Sequence, residues 1–251
     1  MHIGFRSILT AALLVSAAPA YATSTCIPPT CFFGEDVPPG GTIPSPFPMS
    51  NAARASFLLA LGDYGTENFS GFSSGDDGSL PLMFGSFETG TLTDPSSAGD
   101  GFIATAMIAK TGFPISGLTY WKNTTEENEG LFHVDFGGPV QAFGFYATAY
   151  STVSQIGGTQ LVLDLELDGS GGTISFQVPH DIIDNITGKV FYFGVVTDPF
   201  VAATLRNSGP DDGDVIGFDD FTVGNAVVPE PSSGALLAGG LLALAASRRR
   251  R

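Results

Sequence analysis

Residues Leu161 to Asp168 read Leu-Val-Leu-Asp-Leu-Glu-Leu-Asp, with four leucines on one side of an extended chain and Val162, Asp164, Glu166 and Asp168 on the other. Side chains alternate across a sheet, so this period belongs to a strand with one buried face. Gly169 to Gly172 provide a flexible turn and Thr173–Val178 alternates again, which predicts a β-hairpin. Strand-like runs recur at Ser56–Leu61, Leu80–Phe84, Phe102–Ala109, Leu131–Phe136, Gln141–Thr148, Val190–Thr197, Phe200–Leu205 and Ile216–Val223. No segment carries a helical stripe over three turns, and no fixed-period repeat points to a solenoid or propeller. Short strands with Gly-rich connections predict an all-β fold, a single antiparallel β-sandwich of jelly-roll-like type. The 21 phenylalanines, against one tryptophan, suit an aromatic-packed core.

The ends of the chain have other periods. Residues 1–22 read as a secretory signal peptide: Arg6 is the positive head, Ile8 to Ala18 the apolar stretch, and Ala20-Tyr21-Ala22 the small-residue cleavage pattern, so the mature chain starts at Thr23. A buried N-terminal helix would need an amphipathic pattern, and this stretch is apolar all round. Residues 23–52 are rich in Pro and Gly and read as a linker. Residues 53–225 then form the sandwich domain, large enough for one hydrophobic core. Residues 226–251 hold Val228-Pro229-Glu230-Pro231, an apolar run from Gly234 to Ala246, and Arg248, Arg249, Arg250 and Arg251. The prolines make an extended hinge, the apolar run partitions into a bilayer as a short helix, and the arginines stop transfer on the cytoplasmic side. At 1.5 Å per residue the run is short against a hydrocarbon core of about 30 Å, so it needs Pro231 to Ser233 and snorkelling arginines to span.

This three-part tail resembles the PEP-CTERM sorting signal of certain Gram-negative bacteria. The resemblance implies export through the Sec machinery, recognition by an exosortase at the inner membrane, and cleavage near Pro229–Pro231. It further implies a destination at the cell surface or in an extracellular matrix, with a link to exopolysaccharide and biofilm. An ordinary C-terminal membrane anchor is the alternative. The body resembles the β-sandwich domains found upstream of such tails, through Thr66-Glu67-Asn68-Phe69, Gln141-Ala142-Phe143-Gly144-Phe145-Tyr146-Ala147 and Ile216-Gly217-Phe218-Asp219-Asp220-Phe221-Thr222-Val223.

Charge narrows the partners. Between Thr23 and Asn225 only Arg54, Lys110, Lys122, Lys189 and Arg206 are basic, against 24 acids, a net charge of −19. Such a surface repels nucleic acid and anionic lipid and favours divalent cations and uncharged or cationic partners. Cys26 and Cys31 predict a local disulfide in an exported chain, which stiffens the mature N-terminus more than it stabilises the fold. A metal site there would need further ligands, and no histidine is close in sequence.

Chemistry is sparse. In Phe218-Asp219-Asp220-Phe221 an unbroken strand would put each Phe on a different face beside a carboxylate. Either a β-bulge switches faces, or one Asp is partly buried beside a Phe. A buried Asp219 or Asp220 could share a structural Ca²⁺ with Glu67, or instead bond backbone N–H groups. Asp76-Asp77, Glu126–Glu129 and Asp211–Asp214 read as solvated loops, the last being the nearest to any cation site. Tyr120 and Trp121, before the polar Lys122–Thr125 stretch, could stack on sugar faces or simply fill the core; Tyr146 and Tyr150 are weaker candidates. His133 shares a strand face with Asp135, an acid–base pair or a surface hydrogen bond. Gly71-Phe72-Ser73-Ser74-Gly75 fits the nucleophile-elbow pattern, but a loop and not a helix follows it. No catalytic residue is assigned. The chain thus predicts an exported, non-catalytic sandwich that binds polysaccharide or another matrix component, with structural calcium, and with a secreted glycan-active hydrolase or a purely structural surface component as alternatives.

Overall fold

The computed structural model describes residues 23–24, 30–37, 43, 45–105, 112–124, 129–149, 161–169, 171–179, 188–208 and 215–227. The signal peptide, Cys26 and residues 228–251 lie outside them, as do Tyr150, His180 and Asp211–Asp214. Twelve strands and one helix follow in the order β1 (Thr23–Ser24), β2 (Cys31–Asp36), α1 (Pro48–Leu59), β3 (Leu61–Glu67), β4 (Leu80–Phe84), β5 (Glu88–Thr93) and β6 (Phe102–Ala104). Then come β7 (Tyr120–Thr124), β8 (Gly130–Thr148), β9 (Leu161–Leu167), β10 (Thr173–Gln177), β11 (Val190–Asn207) and β12 (Val215–Ala226). The fold is the predicted all-β sandwich, antiparallel throughout except where β1 runs parallel to β10.

All the strands belong to one hydrogen-bonded network, because β8 and β11 are long enough to serve both layers. The second half of β8, Ala142 to Thr148, pairs with Val190 to Val196 of β11 and with β12. Its first half, Gly130 to Asp135, pairs with Ala202 to Arg206 of β11, and His133 to Phe136 also pair with β5. The register of β11 breaks between Val196 and Ala202, beside Pro199 and opposite Gly137, Gly138 and Pro139 of β8. A proline without an N–H and paired glycines are what a strand needs to turn from one layer into the other. Layer one is then β2, β11, β8 and β12, with β3 and β7 beyond β12; layer two is β10, β9, β11, β8, β5 and β4.

The core between the layers is aromatic. Phe132, from the layer-two half of β8, packs at 4.8–6.0 Å between ring centres against Phe143, Phe145, Phe218 and Phe221 of layer one. Leu161, Leu163 and Leu165 of the predicted hairpin are buried in the same cluster, in register with β10 as expected.

Two expectations fail near the N-terminus. Cys31–Asp36, assigned to a linker, is a strand of layer one, with Cys31 and Phe32 buried and six residues paired to β11. Ser56–Leu61, read as a strand, is the end of the helix α1 through Leu59, and only Leu61 enters a strand, as the first residue of β3. The buried side of the helix is only Ser50, Ala53 and Phe57, a stripe too narrow and too small to stand out as a helical period. The helix is completed from outside. Phe47, its first cap position, offers no side-chain acceptor, and Asp36 of β2 receives the N–H of Met49 (3.1 Å) and of Ser50 (2.9 Å) together with the Ser50 hydroxyl (2.7 Å). Phe57 drops onto the outer face of layer one over the cross-strand pair Gly144–Gly194, where a Cβ on Gly194 would stand 2.8 Å from its ring.

Candidate functional site

Layer one hides its outer face under α1, whereas among the described residues no helix covers the outer face of layer two, where most residues are polar. Ser175, Asp164, Thr204, His133 and Thr93 are successive register partners across β10, β9, β11, β8 and β5. The neighbouring row is Thr173, Glu166, Ala202, Asp135 and Thr91. Period two makes both rows point away from the leucines and phenylalanines of the core.

Hydrogen bonds knit the first row. Asp164 accepts from the Ser175 hydroxyl at 2.5 Å and from Arg206 Nε at 2.6 Å, so the guanidinium is held with its outer nitrogens free of protein acceptors among the described residues. His133 Nδ1 and Thr204 Oγ1 are 2.7 Å apart, and His133 Nε2 is 3.2 Å from Asp135 Oδ1. Asp164, Glu166, Thr173, Thr204 and Arg206 line a cavity of about 400 Å³. Thr93, at the other end of the row, lines a second one of about 460 Å³ with Asp77, Ser79, Asp94, Gly99 and Gly101. Asp94 shapes that cavity by accepting from Gly101 N at 2.6 Å, Ser96 N at 2.9 Å and Asn123 Nδ2 at 3.0 Å. This site was missed in the sequence, where Asp164 and Glu166 read only as the solvent side of a hairpin. The available signal was the company they keep: Thr89, Thr91, Thr93, Thr173 and Thr204 all stand at outward positions.

The Asp219–Asp220 anomaly resolves into a bulge. The register of β12 against β8 shifts between Asp219 and Thr222, and Asp220 has φ 50°. Phe218 and Phe221 thereby both enter the core, and both carboxylates face the other way. The bulge falls where β12 changes partner, from β7 (through Phe218) to β3 (from Phe221). Asp219 fills the gap, accepting from Ile115 N at 2.7 Å, Ser116 N at 2.9 Å and Asp220 N at 2.7 Å. Asp220 accepts from the Ser116 hydroxyl and faces Arg54 Nη2 at 3.6 Å; that guanidinium lies 5.9 Å from the Tyr146 ring centre. Burial, reinforced by the Asp220 charge, pushes the Asp219 carboxyl up to about 8, although three N–H donors pull the other way.

Glu67 turns both oxygens to backbone, accepting from Phe69 N at 2.7 Å and Met83 N at 3.0 Å. The three acids proposed for calcium are therefore not gathered into one donor set; among the described residues no three His, Cys, Asp or Glu side chains cluster for a metal. Tyr120 and Trp121 are fully buried, so neither ring can stack on a sugar; Trp121 is core, its Nε1 donating to the Leu131 carbonyl at 3.0 Å. Tyr146 is buried too, donating to Asn51 Oδ1 at 2.7 Å, and burial pushes its phenol up to about 12. Asn123 is buried and bonded to Asp94 and the Leu131 carbonyl. Cys31 is disulfide-bonded, and Cys26 is the chain's other cysteine. Thr23, the expected first mature residue, pairs with Ser175 and so adjoins the first polar row.

Residues 227–251 match the PEP-CTERM protein-sorting motif, which marks an exported protein handled by an exosortase. No curated protein sequence is significantly similar to the chain. The body resembles adhesin and carbohydrate-binding domains in fold. The K2 cleaved adhesin domain of Lys-gingipain aligns with a TM-score of 0.40 at 9% identity, over 64% of this chain and 99% of that one. The K3 adhesin domain from Porphyromonas gingivalis gives 0.37 at 12%, over 64% and 98%. The CBM22-1 xylan-binding domain of Paenibacillus barcinonensis Xyn10C gives 0.34 at 14%, over 66% and 98%.

Proposed function

We propose that this exported protein is a non-catalytic component of the cell surface or extracellular matrix, whose sandwich binds polysaccharide on the outer face of layer two. The observation that carries the reading is the in-register polar row Ser175–Asp164–Thr204–His133–Thr93, half-buried from Asp164 to Thr93 and bordered by a cavity at each end. Sugars present hydroxyls that donate and accept at once. The face answers with carboxylate acceptors at Asp135 and Glu166, guanidinium donors at Arg206, and threonine hydroxyls that do both. The sorting tail supports the reading, since it sends the chain to where such polymers lie, and a link to exopolysaccharide and biofilm belongs to the same proposal. The partners in transit are the Sec machinery and an exosortase.

The test is affinity electrophoresis of the processed protein through gels containing exopolysaccharide purified from its own host. Retardation that is lost in Arg206→Ala and Glu166→Ala supports the reading; migration unaffected by every host polysaccharide refutes it.

A further inference from the structure

The two cavities are not separate features. Thr204 lines the first, Thr93 the second, and His133 is the register partner of both, with its ring 2.7 Å from the Thr204 hydroxyl. Neighbouring strands lie about 4.8 Å apart, so the row from β10 to β5 crosses four spacings, about 19 Å. It runs across the strands, and the side chains along it are short or half-buried. Thr93 and Asp94 are half-buried, and His133 retains 23% of its side-chain exposure. The larger neighbours Glu166 and Asp135 stand in the adjacent row on either side of Ala202, which is 1% exposed. A bank of acids therefore borders a path of hydroxyls and one imidazole.

The charges along this path exclude an acidic polymer. Arg206 already pairs with Asp164, while Glu166, Asp135, Asp77 and Asp94 add negative charge with no further cation on the face among the described residues. The body as a whole carries −19. A uronate or sulfated chain would meet repulsion at each end and along the middle.

From this geometry we infer that the ligand is a linear, uncharged polysaccharide lying perpendicular to the strands, with one stretch in each cavity and His133 beneath the segment that joins them. This rests on the polysaccharide reading above and adds to it an orientation, a minimum length and a charge. A ligand short enough for one cavity forfeits the contacts of the other. Once a chain bridges both, the second set of contacts forms within the complex and raises affinity well beyond either alone.

The experiment is isothermal titration of the processed protein with uncharged linear oligosaccharides of the gluco-, galacto-, manno- and xylo-series, each from disaccharide to octasaccharide, beside an oligogalacturonate series. The expected result is binding in at least one neutral series, with affinity that keeps rising past the trisaccharide and gains about tenfold or more before it levels off. Thr204→Val and Ser79→Ala, in different cavities, should each lower affinity for the longest ligand, whereas only one of them should alter binding of the shortest. Affinity that is flat from the disaccharide upward would confine the ligand to one cavity and overturn the bridging inference while leaving polysaccharide binding intact. Tighter binding of oligogalacturonates would overturn the charge assignment. No binding in any series would overturn both this inference and the reading beneath it.

Discussion

Replacing Asp219 with Asn should change how the stability of this protein depends on pH. Asp219 is fully buried, and its carboxyl is raised from 3.8 to about 8, first by burial and then by the Asp220 charge. A carboxyl whose folded value lies above its unfolded value binds its proton more tightly in the native state. Its contribution is therefore fully present below about pH 3.8 and is lost as pH rises toward 8. Each unit is worth about 1.4 kcal/mol, so between pH 5.5 and pH 8 the wild type should lose about 3 kcal/mol through this one group. In Asp219→Asn that slope vanishes. The amide still offers one oxygen to the Ile115 and Ser116 N–H groups, but its NH₂ opposes the Asp220 N–H, an offset that does not vary with pH. Urea unfolding followed by tryptophan fluorescence at pH 5.5, 7 and 8.5 measures this, because Trp121 is the chain's one tryptophan and is buried in the core. Groups remote from the bulge cancel in the difference. The stability difference should move by about 3 kcal/mol in favour of the variant across that range. Parallel profiles would show that the Asp219 carboxyl titrates near its ordinary value, and the account of the bulge as a buried, protonated acid would be wrong.

Three further outcomes follow from the packing. Gly194→Ala drives a methyl to 2.8 Å from the Phe57 ring and should cost about 1–3 kcal/mol in chemical denaturation, which the double variant with Phe57→Leu should partly recover. Asp36→Ala removes three hydrogen bonds at the start of α1 and leaves the Ser50 hydroxyl with the Val190 carbonyl alone; a loss of about 2–3 kcal/mol is expected in the same assay, smaller in Asp36→Asn. Phe132→Ala empties the centre of the aromatic cluster and should cost about 3–5 kcal/mol, seen as a lowered midpoint with an unchanged denaturant slope.

Strands with one leucine-rich face were legible because period two survives any tertiary context: β4 begins and ends where its alternation does, and the β9–β10 hairpin pairs as read. What the sequence hid was continuity. Leu131–Phe136 and Gln141–Thr148 look like two strands because Gly137-Gly138-Pro139 is turn chemistry, yet one strand runs through them from layer to layer. The helix was hidden for a different reason. Its cap comes from Asp36, and its seat is a pair of glycines far from the helix in sequence and 50 residues from each other: Gly144 and Gly194 meet only through strand register. The bulge at Asp219–Asp220 was half legible, since two phenylalanines three apart with acids between them conflict with an unbroken strand. Which groups would satisfy those acids lay in the loop at Ile115 and Ser116, a hundred residues upstream. Tyr120 and Trp121 show the reverse error. Aromatic residues before a polar stretch suggest a stacking platform, but only the closed sandwich decides that they face inward.

The chain leaves the sandwich at Val227, whose N–H is fastened to the Ala60 carbonyl at the end of α1. That exit belongs to the helix-bearing layer, and the polar rows lie on the outside of the other, with a sheet-to-sheet distance of about 10 Å between. Severing the tail would change where the protein goes and leave every residue lining both grooves in place, so address and grip are carried by separable parts of one chain.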